Sequence, residues 1–302
     1  MPPAHEDVAL HTFLRGDPAT QLAWLTERGL PPATLLALHN ACAQRCFFCA
    51  GPGTVSVPDR ERTPRAAGLA QLAARPEGVT RLMIGGNEPT LHPDFPELLR
   101  AVRPAGFATV ELMTNGADLA ANAAEWAALG VVEVIVPLYG VAPASHDGVA
   151  GVPSFDHVVA GLDAAAAAGI RVSVHTLLLR RTLNELAALN DLVRARWRTR
   201  LGVALLRDKG SFAFAAEAPP FAAAVAALTA IREAARPLGI GTPPCLPTHP
   251  EPPPLVADLY FRSQALAFGP GCDGCTARER CAGVVVAYAG EVVALGGAGR
   301  TR

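Results

Sequence analysis

From about residue 33 the chain alternates between two textures: short apolar runs rich in Val, Leu and Ile, and Ala- and Leu-rich stretches whose apolar positions recur at helical spacing. The runs predict strands at 34–38, 80–84, 109–113, 131–138, 170–177 and 201–206. Between them the spacing predicts helices at 95–102, 119–129, 155–168 and 183–193, the last with Thr182 placed to cap it. Strands that alternate with helices pair in parallel through right-handed crossovers. Six such units are too few for a closed eight-unit barrel, so the expected fold class is α/β, a partial (β/α)6 TIM-type barrel. Chemistry is then expected in the loops at the carboxyl ends of the strands.

After Arg207 the texture changes to a helical segment at 221–236, followed by TPPCLPTHPEPPP, whose prolines exclude a regular strand or helix. The chain therefore divides into an N-terminal helical segment (1–32), a barrel (33–210) and a small C-terminal module (211–302). At 302 residues, 50% hydrophobic and 18% charged, it is expected to fold and bury a sizeable core. The balance of 26 basic against 27 acidic residues leaves no electrostatic footprint for duplex nucleic acid or an anionic membrane, and neither partner is expected. The start, MPPAHEDVALHTFLRGD, has no basic region followed by an apolar one, and a cytoplasmic location is expected. In a reducing compartment, seven cysteines point to metal or redox chemistry rather than disulfides.

Three of them follow the first strand in HNACAQRCFFCAGPG, which places Cys42, Cys46 and Cys49 in a CxxxCxxC spacing. Three thiolates can hold three irons of a 4Fe-4S cluster and leave the fourth iron open for a chelating cofactor. A zinc site completed by His39 would use the same donors. The second strand ends in IGGNEPTLHPDF, where Gly85 and Gly86 let a ligand approach the backbone ahead of Asn87, Glu88, Pro89 and Thr90. The third ends in Met113-Thr114-Asn115-Gly116.

Taken in order on three successive strands, the CxxxCxxC loop, the GGNEP turn and the TNG turn resemble the radical S-adenosylmethionine (radical SAM) superfamily. The resemblance covers roughly residues 34–206. It implies that Cys42, Cys46 and Cys49 bind a 4Fe-4S cluster whose open iron takes the amino and carboxylate groups of SAM. Gly85, Gly86 and Glu88 would hold the SAM amino group, with Thr114 and Asn115 also on the cofactor side. It further implies one-electron cleavage of SAM to methionine and a 5'-deoxyadenosyl radical that abstracts hydrogen from the substrate. A flavodoxin or ferredoxin would serve as reductant.

On the fifth strand, alternation sets Arg171, Ser173 and His175 against Val172 and Val174, and the polar face is expected to line the lumen. Ser173 and His175 are candidates for SAM ribose or substrate contacts. Tyr139, Ser145, His146 and Asp147 follow the fourth strand, where His146 and Asp147 suit either acid/base work or a capped turn. Arg207, with Lys209, is placed past the sixth strand to meet an anionic substrate group or to line a solvated loop. The catalytic candidates are Tyr139, His175 and Arg207.

Cys245, Cys272, Cys275 and Cys281 form the second set, the last three in GPGCDGCTARERCAG. Four thiolates fit a structural zinc or a fully ligated 4Fe-4S cluster equally well by geometry. The segment resembles the auxiliary-cluster extensions of the SPASM and twitch types, although Val285 stands where the longer pattern has a cysteine. That resemblance implies one auxiliary 4Fe-4S cluster that accepts an electron or supports the fold. Short motifs (PLYG, PPCLP and the CDGC run) are also similar to maturases of the His-Xaa-Ser peptide system. The function these resemblances imply is oxidative modification of a ribosomally made peptide. Dehydrogenation of a small sugar or aminocyclitol is the alternative, and a non-catalytic zinc-binding interaction protein a remote one.

Overall fold

The computed structural model describes residues 16–27, 31–38, 41–49, 62–206, 213–231, 235–237, 246, 266–273, 275, 284–285 and 288. One parallel sheet carries seven strands in the order of the chain: β1 (Thr34–Leu38), β2 (Arg81–Gly86), β3 (Thr109–Met113), β4 (Val131–Pro137), β5 (Arg171–Leu178), β6 (Leu201–Leu205) and β7 (Ala235–Pro237). A helix α1 (Pro18–Glu27) precedes β1. Crossovers are made by α2 (Arg65–Ala73), α3 (Phe95–Val102), α4 (Leu119–Ala128), α5 (Pro143–Ala150), α6 (Phe155–Ala167), α7 (Leu186–Trp197), α8 (Phe214–Glu217) and α9 (Phe221–Ile231). This is the expected α/β partial barrel, with strand ends within two residues of those the hydrophobic pattern predicts.

Two expectations shift. The helix predicted at 221–236 stops at Ile231, and Ala235–Pro237 instead extends the sheet beside β6. Arg236 precedes Pro237, and a residue before proline is driven out of the helical region into extended backbone. Thr182 sits at the head of a 3-10 turn (Leu183–Glu185), but its side chain makes no capping bond, and α7 begins only at Leu186. The stretch 214–231 is by length and composition apolar enough to cross a membrane. It is split by Pro219 and Pro220 into α8 and α9, and Phe221, Ala224, Leu228 and Ile231 turn into the core.

The edge of β1 is covered rather than left open. Gln21 of α1 is fully buried, accepts from the Leu35 N–H at 2.7 Å and donates to the Leu35 carbonyl at 2.9 Å. A side-chain amide thus stands where a neighbouring strand would.

Register divides the strand residues between two faces. Val136 and Val158 of α6 both close on Gly116, which puts the Val136 face toward the helices and leaves Glu111, Glu133, Ser173 and His175 on the concave face. Glu111 and Glu133 are register partners on β3 and β4, and each is nearly fully buried. Glu111 pairs with Arg81, and Glu133 takes Arg171 through Nε at 2.9 Å. All four residues lie in the amino-terminal parts of their strands, so ion pairs fill the end of the barrel opposite the cysteine loop. Ser173 corrects an expectation: its hydroxyl donates to Glu133, at this closed end, instead of pointing to the cysteine side.

In the C-terminal module β8 (Leu266–Ala267) pairs antiparallel with β9 (Val284–Val285). Tyr288 is buried against Phe214 and Phe221, with ring centroids 5.5 and 6.2 Å away. His39, Arg207, Lys209, Cys245 and Cys281 lie outside the described residues.

Candidate functional site

Cys42, Cys46 and Cys49 follow β1 at its carboxyl end, and neighbours hold their loop from several directions. The Glu88 N–H donates to the Ala41 carbonyl at 3.2 Å, and the Arg45 N–H donates to the Ala150 carbonyl, at the end of α5, at 2.7 Å. Gly151 caps that helix with φ 73°, and a Cβ there would lie 2.6 Å from the Arg45 carbonyl oxygen. No side chain fits between the helix end and the loop. Within the loop, the Cys49 N–H donates to the Cys46 carbonyl at 3.0 Å. The Asn115 amide donates to Cys42 Sγ at 3.8 Å.

The thiols crowd one another. Burial, and then the neighbouring Cys49 and Cys42, push the Cys46 thiol up to about 12. Burial likewise raises Cys42, with Glu88 and Cys49 adding to it. Two thiols whose ionisation burial and their neighbours suppress suit a cationic centre, which would deprotonate them and balance their charge. Among the described residues, no three His, Cys, Asp or Glu side chains are gathered tightly enough for a single ion. A cluster asks something looser, one thiolate per iron. The donor set and its charge therefore fit the iron–sulfur group implied by the sequence.

Beside the loop, β2 ends in Gly85 and Gly86. Gly86 has φ 135°, and a Cβ on it would stand 2.1 Å from the Leu38 carbonyl oxygen, so the ends of β1 and β2 meet only because the residue is glycine. Glu88, expected to help hold the SAM amino group, is wholly buried and accepts from the Thr90 N–H (3.2 Å), Thr90 Oγ1 (2.8 Å), Thr114 Oγ1 (2.7 Å) and the Asn115 N–H. The carboxylate binds the β2 turn to the β3 turn. Burial raises its pKa, while these bonds oppose the rise. Thr114 and Asn115 are brought together with Cys42 as the TNG motif suggests, but Thr114 faces Glu88.

An aromatic wall stands on the β4 side. Tyr139 is stacked on His146 at 5.4 Å and meets the edge of Phe48 at 5.5 Å, and Phe48 in turn meets Phe47 at 5.3 Å. The Cys46 thiol donates to Gln44 Oε1 at 3.5 Å. Arg181 lies 4.9 Å over the Phe47 ring and pairs with Glu217 of α8, which ties the cysteine loop to the start of the C-terminal region. Nothing in the sequence pattern singles out Arg181. His175 is buried on the concave face of β5 opposite Pro137. Ser145 bonds the Ala142 carbonyl in the first turn of α5.

His146 and Asp147 take the capped-turn reading. Asp147 Oδ1 accepts from the Ser154 and Phe155 N–H groups, at 2.8 and 2.9 Å, where α6 begins. His146 Nδ1 accepts from the Tyr139 N–H at 3.2 Å, so the proton sits on Nε2, which meets Ser154 Oγ at 3.1 Å. Burial lowers its pKa to about 4. Since the folded value lies below that of the unfolded chain, acid protonates the unfolded state first. The stability this histidine contributes is whole above about pH 6.5 and is lost as pH falls toward about 4. Between about pH 7 and about pH 5 the wild type should lose about 2 kcal/mol more than His146→Gln. Urea midpoints of both proteins at the two pH values check this, and parallel losses would refute it.

In the second set, the Cys275 N–H donates to the Cys272 carbonyl at 3.2 Å, the same turn as Cys46 to Cys49. Cys272 is half-buried against the core and Cys275 is exposed.

The model of the family described as "Radical SAM superfamily" matches residues 36–193, more than half of the chain. The chain belongs to the radical SAM superfamily. This radical SAM chain is 29% identical over 151 residues to a probable GTP 3',8-cyclase of Metallosphaera sedula, covering 50% of the chain and 48% of the relative. It is 30% identical over 165 residues to a PqqA peptide cyclase of Streptomyces rochei, covering 54% and 45%. It thus spans less than half the length of these relatives. Among solved structures, SuiB of Streptococcus suis bound to S-adenosylmethionine superposes with a TM-score of 0.50 at 19% identity, over 62% of this chain and 44% of that one. Native anSMEcpe with bound AdoMet gives 0.50 at 14% identity, over 58% and 51%. These last two likenesses concern the fold.

Proposed function

We propose that this radical SAM chain holds a 4Fe-4S cluster on Cys42, Cys46 and Cys49 and uses it to modify a ribosomally made peptide oxidatively. The observation that carries the reading is the cysteine loop itself: three thiols on one loop fixed against β2, β3 and α5 within a family-matched barrel. When bound, cluster and SAM together supply a hydrogen-abstracting 5'-deoxyadenosyl radical. The chain's own part is to hold and screen. Phe47, Phe48 and Tyr139 keep water from the Cys46 side. His175 and Arg207 remain the candidates to orient the substrate.

Support for a peptide comes from the PqqA peptide cyclase relative. The GTP 3',8-cyclase relatives, at similar identity, favour a nucleotide as the second reading. In the C-terminal module, Cys245, Cys272, Cys275 and Cys281 hold a second 4Fe-4S cluster that takes up the electron released in a net two-electron oxidation. A flavodoxin or ferredoxin supplies the first electron, and the location is the cytoplasm.

Anaerobically reconstituted protein should contain about eight irons per chain and no zinc. About four irons with stoichiometric zinc would remove the second cluster from the reading. With SAM and dithionite, a short precursor peptide, where one is encoded beside the gene, should lose two hydrogens, and GTP or an aminocyclitol should remain unchanged. Conversion of GTP or the aminocyclitol, with the peptide untouched, would overturn the peptide assignment.

A further inference from the structure

One of the three loop cysteines, Cys42, receives a hydrogen bond from a side chain whose orientation is fixed elsewhere. The Asn115 amide has its oxygen committed to the Ala117 N–H at 2.9 Å, so its nitrogen is the atom presented to Cys42 Sγ at 3.8 Å. Its main-chain N–H is held separately by Glu88. The donor thus comes from the turn after β3, fixed at two points of its own.

We propose that Asn115 is a positioning residue that sets the reduction potential of the cluster on this loop by donating a hydrogen bond to Cys42. The inference rests on the assignment of a 4Fe-4S cluster to these cysteines. A reduced cluster carries one more electron, spread in part over its thiolate sulfurs, and a fixed N–H donor stabilises that state more than the oxidised one. The donor therefore raises the potential. The step tuned is a single electron transfer from a flavodoxin- or ferredoxin-class reductant, with no covalent bond made or broken. Asn115, expected from the sequence on the SAM side, thus acts on the cluster instead.

The experiment is a reductive titration of reconstituted full-length protein, wild type and Asn115→Ala. The signal followed is the part of the reduced-cluster electron paramagnetic resonance spectrum that changes on adding SAM, which separates this cluster from any second one. Iron is counted in parallel. At the poise where the wild type is half reduced, Asn115→Ala should show a reduced-to-oxidised ratio about tenfold lower, about 59 mV for one electron. An unchanged midpoint with iron intact would overturn the proposal. Loss of iron from Asn115→Ala would make the residue a structural prop and overturn it as well. If the wild type shows no SAM-responsive cluster, the cluster assignment itself fails, a result distinct from an unmoved potential.

Discussion

Cys46→Ala is expected to end reductive cleavage of SAM, leaving no 5'-deoxyadenosine above the protein-free background. Burial and two neighbouring thiols push Cys46 up to about 12, and a cationic partner would offset that cost by binding the thiolate. With two thiolates left, a cluster that needs three loses its anchorage, and iron should fall by about four per chain. The loop should survive, because its bonds through Ala41 and Arg45 are made by main chain. A variant that still released 5'-deoxyadenosine at the wild-type rate would remove the cluster from this loop.

Glu88→Ala should destabilise the fold by about 3 kcal/mol, with a further loss of SAM-dependent chemistry as a consequence rather than a cause. The carboxylate is fully buried, and its removal strands the Asn115 N–H and the Thr114 hydroxyl where water cannot replace it, whereas the Thr90 hydroxyl keeps Asp118 at 3.0 Å. Glu88→Gln should cost less, since its amide oxygen still accepts from one side. Urea unfolding with an unchanged slope gives the measurement. If Glu88→Ala kept wild-type stability while losing affinity for SAM, the residue would be a cofactor ligand after all.

The contrast between these residues shows what the sequence made legible. Strands came through because alternation and apolar runs are properties of a few adjacent residues, and 109–113 was readable to the residue. The cysteine loop was readable because ligand spacing is local. The motif brings the position of Glu88 to the mouth, but the bonds its side chain makes depend on Thr114 and Asn115, more than 20 residues on, and are not legible in the motif. Asn115 was likewise placed on the right side, but its orientation is decided by the Ala117 N–H. Ser173 was drawn to the closed end by Glu133, a buried charge that an apolar strand pattern gives no reason to expect. The strand Ala235–Pro237 escaped notice because three residues carry no periodicity, and its pairing is set by the exposed edge of β6.

The helix cap beside the cysteine loop also bears on how this sequence can drift. Gly151 has no chemistry of its own, yet it occupies the gap between the end of α5 and the Arg45 carbonyl, in a backbone conformation that side chains resist. Any replacement moves the residue immediately before Cys46. In a saturation library selected for activity, this position should therefore be as intolerant as the cysteines, whereas Gly148, three residues earlier in the same helix with open space around its Cβ position, should accept substitution freely. Inheritance of the cluster loop then depends on a glycine more than 100 positions away in the chain.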